Sequence, residues 1–122
     1  MTAYAMFDPT ALFAGDKVPR HRVAPISGAA ALKRGTLLGR ITATDKYIPS
    51  VRTASDGSQN PVAVLAGDTD TTAADVNAPA YFEGEFAGEV MVIDASWTIA
   101  QVQAALRIAL LPLYVRSVGS LG

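Results

Sequence analysis

Leu32-Lys33-Arg34-Gly35-Thr36-Leu37-Leu38-Gly39-Arg40-Ile41-Thr42 opens a stretch that decides the fold of this chain. It continues through Tyr47-Ile48-Pro49-Ser50 and Asp56-Gly57-Ser58-Gln59-Asn60-Pro61-Val62-Ala63-Val64-Leu65, and closes at Tyr81-Phe82-Glu83-Gly84-Glu85-Phe86. Short runs of β-branched and aliphatic residues are separated by Gly, Asp, Asn and Pro, the pattern of short strands joined by tight turns. The reading predicts strands over residues 37–43, 47–52, 62–66, 76–82 and 85–93. Gly35 falls at a turn that needs positive φ, Asp56-Gly57 at another, and Glu83-Gly84 at a third. Pro49 marks a strand near an edge, and the unbroken apolar run over 62–66 suits a strand buried on both faces.

Downstream lies one clear helix. Thr98 followed three residues later by Gln101 makes a capping box, and Trp97 with Val102 makes the matching hydrophobic staple. Ile99, Val102, Leu106 and Leu110 recur at helical spacing and form one apolar stripe, and Pro112 stops the helix at or before Leu111. Residues 113–118 then read as a last strand.

Upstream, Pro9, Pro19 and Pro25 forbid a long helix, and neither a period of two nor one near 3.6 is sustained. Phe7, Leu12 and Phe13 are large apolar groups for a solvated tail. Two readings account for them: an extended arm over residues 1–25 that buries them on a partner, or a terminus packed on its own domain. The fold class read here is mainly β with one C-terminal helix (α+β), an extended N-terminal arm (1–25) preceding a β-rich domain (26–122).

The chain has 122 residues, a length for one domain, and half of them are hydrophobic, many of those alanine. No apolar run reaches the roughly 18 to 20 residues of a membrane span, and no basic flank leads an apolar segment, so neither a membrane partner nor a secretion signal is expected. Cysteine is absent, which excludes disulfides and thiol chemistry and accords with synthesis in a reducing cytoplasm. Charge is balanced overall but uneven: residues 1–40 hold six basic against two acidic side chains, residues 41–94 two against nine. Such asymmetry fits either an acidic partner surface or an ordinary solvated exterior.

Catalytic sets are missing. His21, the lone histidine, sits between Arg20 and Arg22 with no cysteine or second histidine to complete a triad or an ordinary zinc site. Asp68, Asp70 and Asp75 raise the question of a hard cation, yet the EF-hand glycine and closing glutamate are absent, and a solvated acidic loop is the expectation. Glu83, Glu85 and Glu89 could supply paired carboxylates for acid–base work, but Glu83 and Glu85, on one face near the turn, are expected to face solvent. No P-loop or dinucleotide fingerprint occurs, and the basic residues are too few and too poorly interleaved with aromatics for nucleic acid. No catalytic residue, metal or cofactor is therefore expected.

The Leu32–Gly39 segment, the Asp56–Leu65 segment and Tyr81-Phe82-Glu83-Gly84-Glu85-Phe86, in this order and with Phe7-Asp8-Pro9 ahead of them, resemble the phage lambda head decoration protein D family. The resemblance covers most of the chain, roughly residues 7–108. The apolar run from Leu110 to Val115 departs from it. It implies a β-clip-like domain that decorates the outer surface of an expanded phage head as a homotrimer, made in the bacterial host cytoplasm and carried on the virion. It further implies that the arm, through Phe7, Asp8, Pro9, Leu12 and Phe13, pairs with the major capsid protein and holds the shell against internal DNA pressure. A small β-rich ligand- or carbohydrate-binding module is the alternative, and a metal-assisted hydrolase using residues 68–75 is a third reading.

Overall fold

The computed structural model describes residues 12–14 and 19–117. Five strands form a closed ring in the order β1 (Arg20–Ile26), β4 (Tyr47–Pro49), β3 (Leu37–Arg40), β5 (Pro61–Leu65) and β7 (Val76–Ala87), with β7 returning to pair with β1. All contacts in the ring are antiparallel except β1 with β4, which meet only at Ile26 and Tyr47. Strand β8 (Leu113–Arg116) adds to β7 in parallel, and β2 (Ala31–Leu32) pairs with β6 (Thr69–Asp70) as a separate ribbon. The helix α1 (Ile99–Ile108) is the sole helix among the described residues, so the architecture is mainly β with one helix, as the sequence predicts.

Two cores share the sheet. Alternate side chains of a strand point to opposite faces, and in β5 both faces are buried. Ala63 and Leu65 point into the ring with Ala24, Ile26, Leu38, Ala78 and Ala80. Val64 points outward, to a second core with Leu37, Phe86, Val102, Leu106, Leu113 and Val115. The abundance of alanine finds its place here, because the inside of a narrow ring takes small side chains alternating with larger ones. α1 covers the second core through Val102 and Leu106, both buried, and its capping box is complete, with Gln101 N–H donating to Thr98 Oγ1 and Thr98 N–H to Gln101 Oε1.

Besides the β2–β6 ribbon, which the sequence reading does not include, the elements differ from it chiefly at four places. β7 is one strand of 12 residues, not two joined at Glu83-Gly84. Gly84 lies within it, where the strand changes partner: residues up to Glu83 pair with β1, and Gly84 onward pairs with β8. A Cβ on Gly84 would come within 3.1 Å of the Phe86 ring, so the glycine there serves close packing instead of a turn. After Ala87 the chain turns, and Val92 makes only an isolated bridge to Thr36.

The second difference is at the start. Residues 20–25, expected within the arm, form with Ile26 a strand that pairs with β7 from Glu83 to Val76. Pro19 and Pro25 hid it, yet both tolerate extended geometry, and Ala24 and Ile26 alternate inward as a half-buried strand requires. Third, the strands expected over 37–43 and 47–52 stop at Arg40 and Pro49, the first where the chain enters a turn in which Asp45 takes φ 60°. Fourth, Leu110 is not part of the buried stripe. It is 88% exposed, with φ 58°, just past the helix end.

Candidate functional site

Leu12 is the described residue in which the expected partner-binding segment and the core of the domain coincide. Its side chain is 2% exposed and lies in the outer core with Leu37, Phe86 and Leu106. Its carbonyl accepts the Ala87 N–H at 2.6 Å, and Ala14 N–H donates to Glu85 O at 3.0 Å. Residues 12–14 thus run antiparallel to residues 85–87, with Phe13 bridged to Phe86. Phe13 is half-buried, its ring edge-on to Tyr81 at 5.2 Å and tilted on Phe86 at 5.6 Å, with the Arg34 guanidinium 5.6 Å above it. Arg116 Nη1 donates to Ala14 O at 3.4 Å and lies 3.9 Å from Glu85.

Of the five residues expected to touch a capsid, Leu12 and Phe13 therefore pack on their own domain, the second of the two readings left open by the sequence. Phe7, Asp8 and Pro9 lie outside the described residues. A buried leucine and a backbone paired on β7 fix residues 12–14 to the domain.

The carboxylates raised as metal or acid–base candidates are spread among separate partners. Asp68 accepts the Arg34 N–H at 2.8 Å, Asp70 the Thr72 N–H at 2.9 Å, and Asp75 pairs with Lys46. The hydroxyl and then the N–H of Thr72 hold Asp70 below the usual carboxylate range, and Lys46 does the same for Asp75. Among the described residues no group of three His, Cys, Asp or Glu is placed to hold a metal ion. Glu83 lies 3.8 Å from Arg20, and Glu89 accepts the Ser117 hydroxyl. His21 is exposed and its ring meets Tyr81 edge-on at 6.2 Å.

Two grooves open on the surface. A groove of about 410 Å³ runs between α1 and β8, lined by Leu106, Leu111 and Leu113 together with Arg107, Arg116 and Glu85, with Tyr114 as its one aromatic. A shallower one, about 350 Å³, lies where β1 and β4 splay apart, and there the Arg22 guanidinium sits 4.0 Å over the Phe82 ring. Tyr47 packs edge-on to Phe82, and both rings line this shallower groove.

The motif segments explain one another in space. The turn after Asp56 folds against β3: Ser58 is buried, its carbonyl accepts the Ser50 hydroxyl at 2.7 Å, and Thr42 N–H donates to Asp56 O at 2.9 Å. The model of the bacteriophage lambda head decoration protein D family matches residues 7–110 of the chain. The chain belongs to this family. It is accordingly a structural protein of the phage head, a decoration protein bound to the capsid of the virion. No curated protein sequence matches the chain. The family match takes in Phe7-Asp8-Pro9 and ends at Leu110, so β8 lies beyond it, although Leu113 and Val115 of that strand are buried in the outer core.

Proposed function

We propose that the protein cements an expanded phage head as a homotrimer, its residues before Leu12 engaging the major capsid protein and stabilising the shell against the pressure of packaged DNA. The observation that carries the reading is the fixed root at residues 12–14, which lies next to a family-matched segment beginning at Phe7. A segment anchored by a buried leucine starts from a defined point on the domain, so less chain has to be ordered when it binds. That matters because each backbone residue fixed costs about 1–2 kcal/mol. Phe7 then supplies an apolar anchor, and Asp8-Pro9 favours extended backbone suited to adding a strand to a sheet edge. Three such arms on one trimer would bind one shell with avidity.

The test is co-sedimentation with expanded heads prepared without the protein. Removing residues 1–9 is expected to abolish binding and leave the melting temperature unchanged. Removing residues 1–14 is expected to lower the melting temperature as well, because it takes Leu12 out of the core. A protein lacking residues 1–9 that sediments with heads as the full chain does would overturn the arm's role.

A further inference from the structure

β7 ends as the middle of three extended segments. Its odd-numbered backbone groups face residues 12–14: Ala87 N–H donates to Leu12 O, and Glu85 O accepts the Ala14 N–H. Its even-numbered ones face β8, where Gly84 N–H and Gly88 N–H donate to Pro112 O and Arg116 O. Leu113 and Val115 of β8 are buried in the same core as Leu12, and the Gln103 side chain of α1 donates to Val115 O at 2.8 Å. β8 is thus tied to the helix as well as to β7.

Alternation along β8 sends Leu113 and Val115 into the core and leaves Tyr114 and Arg116 exposed. Arg116 reaches past β7. Its guanidinium lies 3.9 Å from the Glu85 carboxylate and donates to Ala14 O at 3.4 Å, so a side chain of the last strand touches the segment on the far side of β7. The family match ends at Leu110, and β8 with Arg116 lies beyond it.

We infer that β8 is the mount of the capsid-binding arm and that Arg116 is a positioning residue for it, holding residues 12–14 on β7 without touching the shell. The inference rests on the decoration reading above. With residues 12–14 on β7, four positions (8–11) separate Phe7 from its fixed neighbour. With them released, the next strand-paired residue is Arg20, and twelve positions (8–19) intervene. Effective concentration falls roughly as the 3/2 power of connection length, so a connection about threefold longer weakens each arm's engagement about fivefold.

The experiment measures binding to decoration-free heads for Arg116→Glu, Arg116→Lys, Leu12→Ser and the double variant Leu12→Ser with Arg116→Glu, alongside amide exchange and thermal melts of the free proteins. Arg116 is exposed, and exposed ion pairs contribute little to global stability, so Arg116→Glu is expected to melt as the full chain does. The new carboxylate would face Glu85, and exchange at the Ala14 amide is expected to speed up about fivefold relative to the buried Leu65. Head binding is expected to weaken about threefold, within the loss that full release allows, and to return with Arg116→Lys. Added to Leu12→Ser, where residues 12–14 are already loosened, Arg116→Glu is expected to cost nothing further. Equal losses with and without Leu12→Ser would show that Arg116 touches the shell itself and would refute the inference. Unchanged exchange at Ala14, or faster exchange with unaltered head binding, would refute it as well. These results leave the arm's role standing, whereas a chain lacking residues 1–9 that binds heads as the full chain does would remove that role and this inference together.

Discussion

At Gly39 a methyl group would sit 2.0 Å from the carbonyl oxygen of Ser58, closer than any real contact. β3 and β5 shift register there, Leu38 opposing Ala63 and Gly39 opposing Pro61, so the turn after Asp56 is pressed onto bare backbone. Gly39→Ala is expected to cost about 3 kcal/mol in denaturant melts, as overpacking a rigid site does. The Asp56-Gly57 turn is legible because its chemistry is local, whereas the need for glycine at 39 arises from a loop nearly twenty residues away and leaves no local trace. Asp56 itself is held below the usual carboxylate value of 3.8 by the Ser58 hydroxyl and then the Ser58 N–H. Asp94 is held down in the same way by Ser96. A carboxylate with a depressed folded value contributes stability above the unfolded value, and that contribution disappears as pH falls through the folded one. Stability should therefore drop below about pH 4, and Asp56→Asn should shallow that drop in melts taken between pH 6 and pH 3.

Among the elements, the start of α1 was readable because capping and staple residues act within one turn of the chain. Leu106→Ala is expected to cost roughly 2–5 kcal/mol and Thr98→Ala only about 1 kcal/mol. Denaturant melts ranking them the other way would show that the helix face has been misassigned. The far end was misread for a physical reason. Leu110 continues the helical spacing, yet Leu110 N–H bonds back to Arg107 O and Leu111 N–H to Leu106 O, a closing turn that places a leucine where glycine is usual. Leu110→Gly should accordingly raise stability by up to about 1 kcal/mol. β1 escaped the sequence reading for the opposite reason: its long pairing is with residues 50 or more positions away in β7, and nothing near residues 20–26 announces it.

For the molecule as a whole, the sequence carried the mainly β fold and, through the ordered motifs, the family, while the packing of residues 12–14 and 20–26 depended on contacts that only the folded chain reveals. Leu12 and Phe13 look like the rest of an apolar, proline-broken terminus, and only their pairing with β7 and their place in the outer core show that they pack on the domain. The central claim is that the protein holds a pressurised head together, and it makes a direct demand on the particle. DNA-filled heads lacking the protein should be heated with no addition, with the full chain, or with the chain lacking residues 1–9, and the temperature of DNA release recorded by nuclease sensitivity. The account predicts that the full chain alone raises the release temperature. Release at the same temperature in all three samples would contradict it.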